Sequence, residues 1–295
     1  MKVLIFGAYG MLGHHIASEI SKSHETVATV RKFREEHQKF FDTIDVSIED
    51  EIDVRDIQSV RRILIHNRPQ VVINAVGLTK QLITNDNFSD AIHLNSLFPH
   101  QLANICDEIG SRLILFSTDC VFSGVRGSYT ENDYLDADDL YGRTKILGEI
   151  ATSDHVVTLR KSTVGIELSG SHGLVEWFLS QTGEINGFSN ALYSGLTSQE
   201  LSRVISNKII GHTELSGLWH IAASPISKYD LLVKLLEFLD WKDITVNKDE
   251  TVRIDRTLDS TKFNSITGYE PPCWDYMLKE LAQHINKREE QLKVT

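Results

Sequence analysis

The sequence predicts an α/β fold, a doubly wound parallel sheet with a smaller C-terminal lobe. Three observations predict it. Short apolar runs alternate with stretches of helical periodicity from residue 2 to about residue 160. The runs are apolar almost throughout, as strands covered on both faces must be. A turn with three spaced glycines joins the first run to the first helical stretch. Right-handed crossovers are expected between such strands.

The elements follow in order. "KVLIFG" (2–7) is the first strand and "MLGHHIASEIS" the helix after the turn. "TVATV" (26–30) is the second strand, and a third precedes "IDVRD" (52–56). "DIQSVRRILIHN" (56–67) has helical spacing and stops before Pro69. "VVINAVG" (71–77) reads as a buried strand, and "SDAIHLNSLFPHQLANICDEIG" (89–110) as a long helix bent at Pro99. Then come the strand "RLILFST" (112–118), a helix from Tyr141 to Ala151 and the strand "HVVTLR" (155–160). Beyond residue 161 the alternation is irregular, with "GLWHIA" (217–222) and "KYDLLVKLLEFL" (228–239) as the clearest pieces. We expect a cofactor domain over 1–160, rejoined by 190–225, and a substrate lobe from 161–189 and 226–295.

The 295 residues suffice for such a domain plus lobe. A net charge of −11 argues against a nucleic-acid partner, which would require a basic surface. Cys106, Cys120 and Cys273 have no metal-like spacing, and no apolar run is long enough to span a bilayer. The first strand starts at Lys2, leaving no room for a signal peptide before it. A cytoplasmic protein without membrane or metal partners is expected. His14, His15 and His220 read as structural residues.

"FGAYGMLGH" sets Gly7, Gly10 and Gly13 between a strand and a helix. Glycine allows a tight turn and lets a pyrophosphate approach the backbone, while the helix N-terminus offers free N–H groups. Dinucleotide binding is expected. An acidic residue at the end of the second strand would favour NAD by bonding the ribose hydroxyl. Here Arg31, Lys32 and Arg34 follow Val30, which favours NADP(H) over NAD(H). Asp53 is a candidate acceptor for the adenine amino group, with Val54 packing on the ring.

"LILFSTDCVFSG" (113–124) ends a strand with Ser117, Thr118 and Asp119, at the sheet edge where ligands bind in open α/β folds. "LYGRTKILGE" then sets Tyr141 one helical turn before Lys145. Reducing a ketone needs a hydride on carbon and a proton on oxygen. A nicotinamide supplies the first, and the protein must supply the second. A free tyrosine has a pKa of about 10, and bringing it near 7 corresponds to about 4 kcal/mol. A lysine ammonium one turn away would help stabilise the phenolate, and Thr118 would hold the substrate oxygen.

"GAYGMLG", "NAVG", "STDCVFSG" and "YGRTK" occur in the order and spacing of the extended short-chain dehydrogenases. "STDCVFSG" followed by "YTENDYLDADDLYGRTKILGE" resembles the dTDP-4-dehydrorhamnose reductase family, as does "GLWHIAASPISKYDLL". The resemblance implies a Rossmann fold, a nicotinamide cofactor and a nucleotide-sugar substrate, and a homodimer is a possible assembly. It implies Thr118, Tyr141 and Lys145 as the catalytic set, with Lys145 also bonding the nicotinamide ribose. It puts Gly7, Tyr9, Gly10, Met11 and Leu12 at the pyrophosphate and Asp53 and Val54 at the adenine. Asn74, Ala75, Val76 and Gly77 would pass the cofactor's middle, with Ser117 near the nicotinamide. Asn95 matches an asparagine that supports the lysine. Asp119 and Val121 would face the sugar.

The chain departs from that family after the sixth strand. "RKST" stands where the family has Arg-Thr-Ser-Trp, so Thr163 replaces a tryptophan near the sugar. Trp177 is a candidate pocket residue, and Arg253 or Arg256 a candidate for the diphosphate. Two other functions are compatible with the motifs: a nucleotide-sugar epimerase, and a cofactor-binding regulatory subunit without catalysis. A dehydratase is disfavoured, because Cys120 stands where that motif has glutamate.

Overall fold

In the computed structural model, residues 1–239 and 244–293 are described. The strands are β1 (Lys2–Phe6), β2 (Glu25–Thr29), β3 (Val46–Glu49), β4 (Val71–Asn74), β5 (Arg112–Thr118), β6 (Val156–Lys161), β7 (Thr163–Val164), β8 (Gly183–Tyr193), β9 (Leu196–Thr197), β10 (Gly217–His220), β11 (Ile226–Ser227) and β12 (Ile244–Asp255). The α-helices are α1 (Met11–Ile20), α2 (Glu35–Phe41), α3 (Ile57–Asn67), α4 (Phe88–Ile92), α5 (Phe98–Ile109), α6 (Leu140–Leu147), α7 (Leu174–Leu179), α8 (Ser198–Val204), α9 (Lys228–Glu237), α10 (Thr261–Thr267) and α11 (Trp274–Lys293).

Seven strands form one parallel sheet in the order β10-β6-β5-β4-β1-β2-β3. The chain runs outward from β1 to β3, then returns to β4 on the other side of β1. That reversal opens a crevice beyond the carboxyl ends of β1 and β4, where such sheets take ligands. Successive strand residues feed opposite cores: Val3 and Ile5 pack with α1, α8 and α11, whereas Leu4 and Phe6 pack with α3 and α5. Each fully buried aliphatic or aromatic side chain there contributes about 1.5–3 kcal/mol.

The long helix before β5 is interrupted by a π turn at His93–Leu97 and is not simply bent at Pro99. Pro99 has no N–H to return to the Asn95 carbonyl, and the wider turn accommodates the loss. The Tyr141 helix stops at Leu147, short of the expected Ala151. Glu149 leaves the helix to pair with buried Arg160.

The C-terminal half adds a second sheet, β11-β8-β12, with β8 antiparallel to β11 and parallel to β12. Helix α11 returns to the first core through Leu278, Leu281 and Ile285. Among the described residues no helix is long and apolar enough to cross a membrane.

Candidate active site

The glycine turn leaves β1 with Gly7 at φ 87°, a left-handed conformation that favours glycine. A Cβ on Gly13 would lie 2.1 Å from the Gly7 carbonyl oxygen, so α1 can press on the turn only with glycine there. Gly10 is the N-cap of α1 and contributes no side chain to it, leaving first-turn N–H groups free for a ligand. Across the crevice, Asn74 Oδ1 accepts from the Val76 N–H at 3.0 Å and shapes the loop after β4.

A cavity of about 300 Å³ lies between these turns. Tyr9, Gly10, Met11, Leu12, Asn74, Ala75, Val76 and Gly77 line it on the β1–β4 side. Asn95, Ser117, Tyr141 and Lys145 line it as well. Among the described residues no hydrogen bond joins Asn95 to Lys145. Its amide bonds the Leu78 N–H and carbonyl at 2.9 and 3.0 Å and the Thr144 hydroxyl at 3.2 Å, tying the loop after β4 to α6.

Helix α6 is aimed by its N-terminus. Asp139 Oδ1 accepts from the Gly142 N–H at 2.7 Å, and Lys80 pairs with the other carboxylate oxygen at 2.7 Å. A Cβ on Gly142 would fall 2.4 Å from the Cys120 carbonyl, so glycine lets the first turn of α6 rest on the Asp119–Val121 turn. Tyr141 is thereby half-buried beside Thr118. The Thr118 hydroxyl donates to Asp119 Oδ1 and accepts from the Cys120 N–H, each at 3.1 Å.

Burial pushes the Tyr141 phenol above its usual range, with the Thr118 hydroxyl working against the rise. Lys145 does not hold it down: its ammonium donates to the Phe116 carbonyl at 2.6 Å. Burial, and then the nearby charge of Lys161, bring Lys145 down to about 8. Burial also raises the carboxyl of Asp119 and brings Lys161 down to about 8.

Several expected residues stand apart from the cavity wall. Arg31 is exposed beyond β2 and faces Asp53. The Asp53 carboxylate is already engaged by Arg55, with Nη2 at 2.6 Å, and Val54 is buried in the core with Leu4 and Phe6. Val121 is fully buried against Phe122 and Tyr129 and does not line that cavity. Trp177 is half-exposed on α7, while its neighbour Phe178 is the core residue. Among the described residues, Thr163 Oγ1 is buried without a hydrogen-bond partner. Arg256 turns inward, donating from Nε to the Phe122 carbonyl at 2.8 Å.

Conversely, Phe116, Lys161, Glu167, Ser169 and His172 line the cavity without having been singled out. Arg34 donates to Ser169 at 3.2 Å, linking the loop after β2 to this wall. Lys161 was within reach of the sequence, since it occupies the threonine position of the altered "RKST". His220 is fully buried, with Nδ1 3.0 Å from the Tyr129 carbonyl and Nε2 3.2 Å from Arg160.

Comparison with known proteins is consistent with this geometry. The chain is 25% identical over 299 residues to the spore coat polysaccharide biosynthesis protein SpsK of Bacillus subtilis (strain 168), covering 96% of this chain and 97% of that one. It is 26% identical over 308 residues to dTDP-4-dehydrorhamnose reductase of Aggregatibacter actinomycetemcomitans, covering 96% and 99%. The fold matches dTDP-4-dehydrorhamnose reductase of Bacillus anthracis str. Ames, solved in complex with NADP. That match has a TM-score of 0.76 at 21% identity and covers 95% of this chain and 98% of that one. The family model for the RmlD substrate binding domain matches residues 1–287, so the chain belongs to that family.

Proposed function

We propose that this chain uses NADPH to reduce the 4-keto group of a nucleotide-activated deoxysugar, a step toward a cell-surface polysaccharide precursor. The observation that carries the reading is that Tyr141, Lys145 and the glycine turn meet at one cavity, with Thr118 beside Tyr141. The names of the relatives point the same way. The residues present suit a dinucleotide: a side-chain-free cradle at Gly7 and Gly10, an open helix N-terminus, and a lined crevice leading to Tyr141.

NADPH, bound along Tyr9–Leu12 and Asn74–Gly77, would supply the hydride. The protein supplies the rest. Tyr141 is protonated at neutral pH, as an ordinary phenol is, which is the state needed to donate a proton to the carbonyl oxygen. Thr118 orients that oxygen through its hydroxyl. Lys145, fixed by the Phe116 carbonyl, holds a positive charge near the site and is the candidate partner of the nicotinamide ribose.

Preference for NADPH over NADH rests on Arg31, Lys32 and Arg34 following β2, where an acidic residue would be expected for NAD. Segments 161–189 and 226–295 are assigned to the sugar nucleotide. The test is NADPH oxidation across a panel of 4-keto nucleotide sugars. Turnover with one or more supports the reading; oxidation with none supports a regulatory role for the bound cofactor.

A further inference from the structure

The cofactor crevice is bridged by chain from the C-terminal half. Between β7 and α7, Glu167, Ser169 and His172 share the cavity wall with Tyr9, Gly10 and Met11 of the glycine turn. Arg34, in the loop after β2, reaches this segment. Its Nη1 donates to Ser169 Oγ at 3.2 Å, and its backbone N–H donates to Tyr9 Oη at 3.4 Å. The two loops are 135 residues apart in sequence. Arg34, Ser169 and His172 are exposed, so the loops meet at the outer edge of the cavity and not in its floor.

The ends of the 167–173 segment are held, and its middle is not. Glu176 Oε1 accepts from the Glu167 N–H at 2.7 Å, and Arg288 pairs with Glu176 at 2.6 Å. Glu167 Oε1 accepts from the Gly173 N–H at 2.7 Å, so the carboxylate of this wall is engaged within the segment itself. Gly165 and Gly173 lie against Met11, the first residue of α1: an added Cβ would come within 3.7 and 4.0 Å of its side chain. Across 168–172, the Arg34–Ser169 contact is the one hydrogen bond among the described residues. Gly170 sits there at φ 119°, and a Cβ on it would lie 2.4 Å from Glu167 Oε2. An exposed stretch with so few hydrogen bonds opens locally at little cost.

We propose that residues 167–173 are a strap that closes over the bound dinucleotide, latched by Arg34 and Ser169, and that its opening governs cofactor entry and exit. The proposal rests on the dinucleotide reading above and narrows it: this part of 161–189 serves the cofactor and not the sugar nucleotide. Arg34 belongs to the basic run after β2 assigned to NADPH, which puts the latch on the cofactor's side of the site.

A strap and a simple ligand contact differ in kinetics. A latch closed in both free and bound protein hinders both directions, so weakening it raises association and dissociation rates together. A side chain that only touches the ligand changes dissociation and affinity. The test is stopped-flow fluorescence of NADPH, with association read on mixing and dissociation on displacement by excess NADP. Ser169→Ala should raise both rates by about three- to tenfold, the loss of one hydrogen bond, with Kd kept within about twofold. Ser169→Thr keeps the hydroxyl and should restore both rates. Unchanged rates in Ser169→Ala overturn the proposal. So does faster dissociation alone, which would make Ser169 a cofactor ligand, or a Ser169→Thr variant that behaves as Ser169→Ala. A wild type that does not bind NADPH overturns the dinucleotide reading and the strap together. The ketoreductase reading fails separately, when no 4-keto nucleotide sugar supports NADPH oxidation.

Discussion

Glu149→Ala should destabilise the protein by about 3–5 kcal/mol, the usual cost of breaking a buried ion pair from one side. Arg160 meets Glu149 in a two-pronged contact, Nε to Oε1 and Nη2 to Oε2, each 2.7 Å. The side chains are only 3% and 7% exposed. His220 cannot replace the lost carboxylate. Its Nδ1 must carry the proton that faces the Tyr129 carbonyl, so Nε2 is the bare nitrogen accepting from Arg160. Burial lowers the pKa of His220, consistent with this neutral form. For a chain of 295 residues, about 2 °C per kcal/mol gives a melting temperature lower by about 6–10 °C. The Ser117 hydroxyl, on the cavity wall, also loses its acceptor. Urea unfolding followed by tryptophan fluorescence measures the change. The double variant Glu149→Leu with Arg160→Met should recover much of the loss, because it removes both charges. A single variant costing under about 1 kcal/mol, or a double variant worse than either single, would refute the reasoning.

Other perturbations follow from the same structure. Gly13→Ala should abolish or greatly weaken NADPH binding, since its Cβ would fall 2.1 Å from the Gly7 oxygen; fluorescence titration of NADPH checks this. Arg31→Asp should move the NADPH to NADH ratio of kcat/KM toward NADH by about tenfold or more, and an unchanged ratio would remove the ribose assignment. Burial holds His14 near a pKa of about 4, below the ordinary 6.5. The unfolded chain therefore binds more protons between those values, and stability should fall as pH drops from 6.5 to 4, by about 3 kcal/mol from His14. His14→Gln should flatten that slope in urea denaturation series.

The half of the chain that carries the cofactor crevice was legible because its physics is local. Strands such as "KVLIFG" and "VVINAVG" are buried on both faces and therefore apolar almost throughout. The glycine turn and the Tyr141–Lys145 spacing carry their geometric reasons in the residues themselves. The second sheet was not legible. β8 reads "GEINGFSNALY" and β12 "ITVNKDETVRID", with glycine, asparagine and charges where strand formers are expected. Their pairing is decided by tertiary context. Helix α11 was not singled out either, although its apolar residues close the first core. Spacing on a helix also says nothing of where a lysine ammonium turns, and here Lys145 turns to the Phe116 carbonyl. Lys161 was passed over although the altered "RKST" marked its position; what the sequence did not show is its register with Thr118.

The most direct test of the account is NADPH oxidation with 4-keto nucleotide sugars by the wild type and by Tyr141→Phe, with NADPH affinity measured alongside. The account predicts turnover by the wild type, a loss of about 10²–10⁴-fold in kcat for the variant, and nearly unchanged NADPH binding. Wild-type turnover that survives intact in Tyr141→Phe would contradict it.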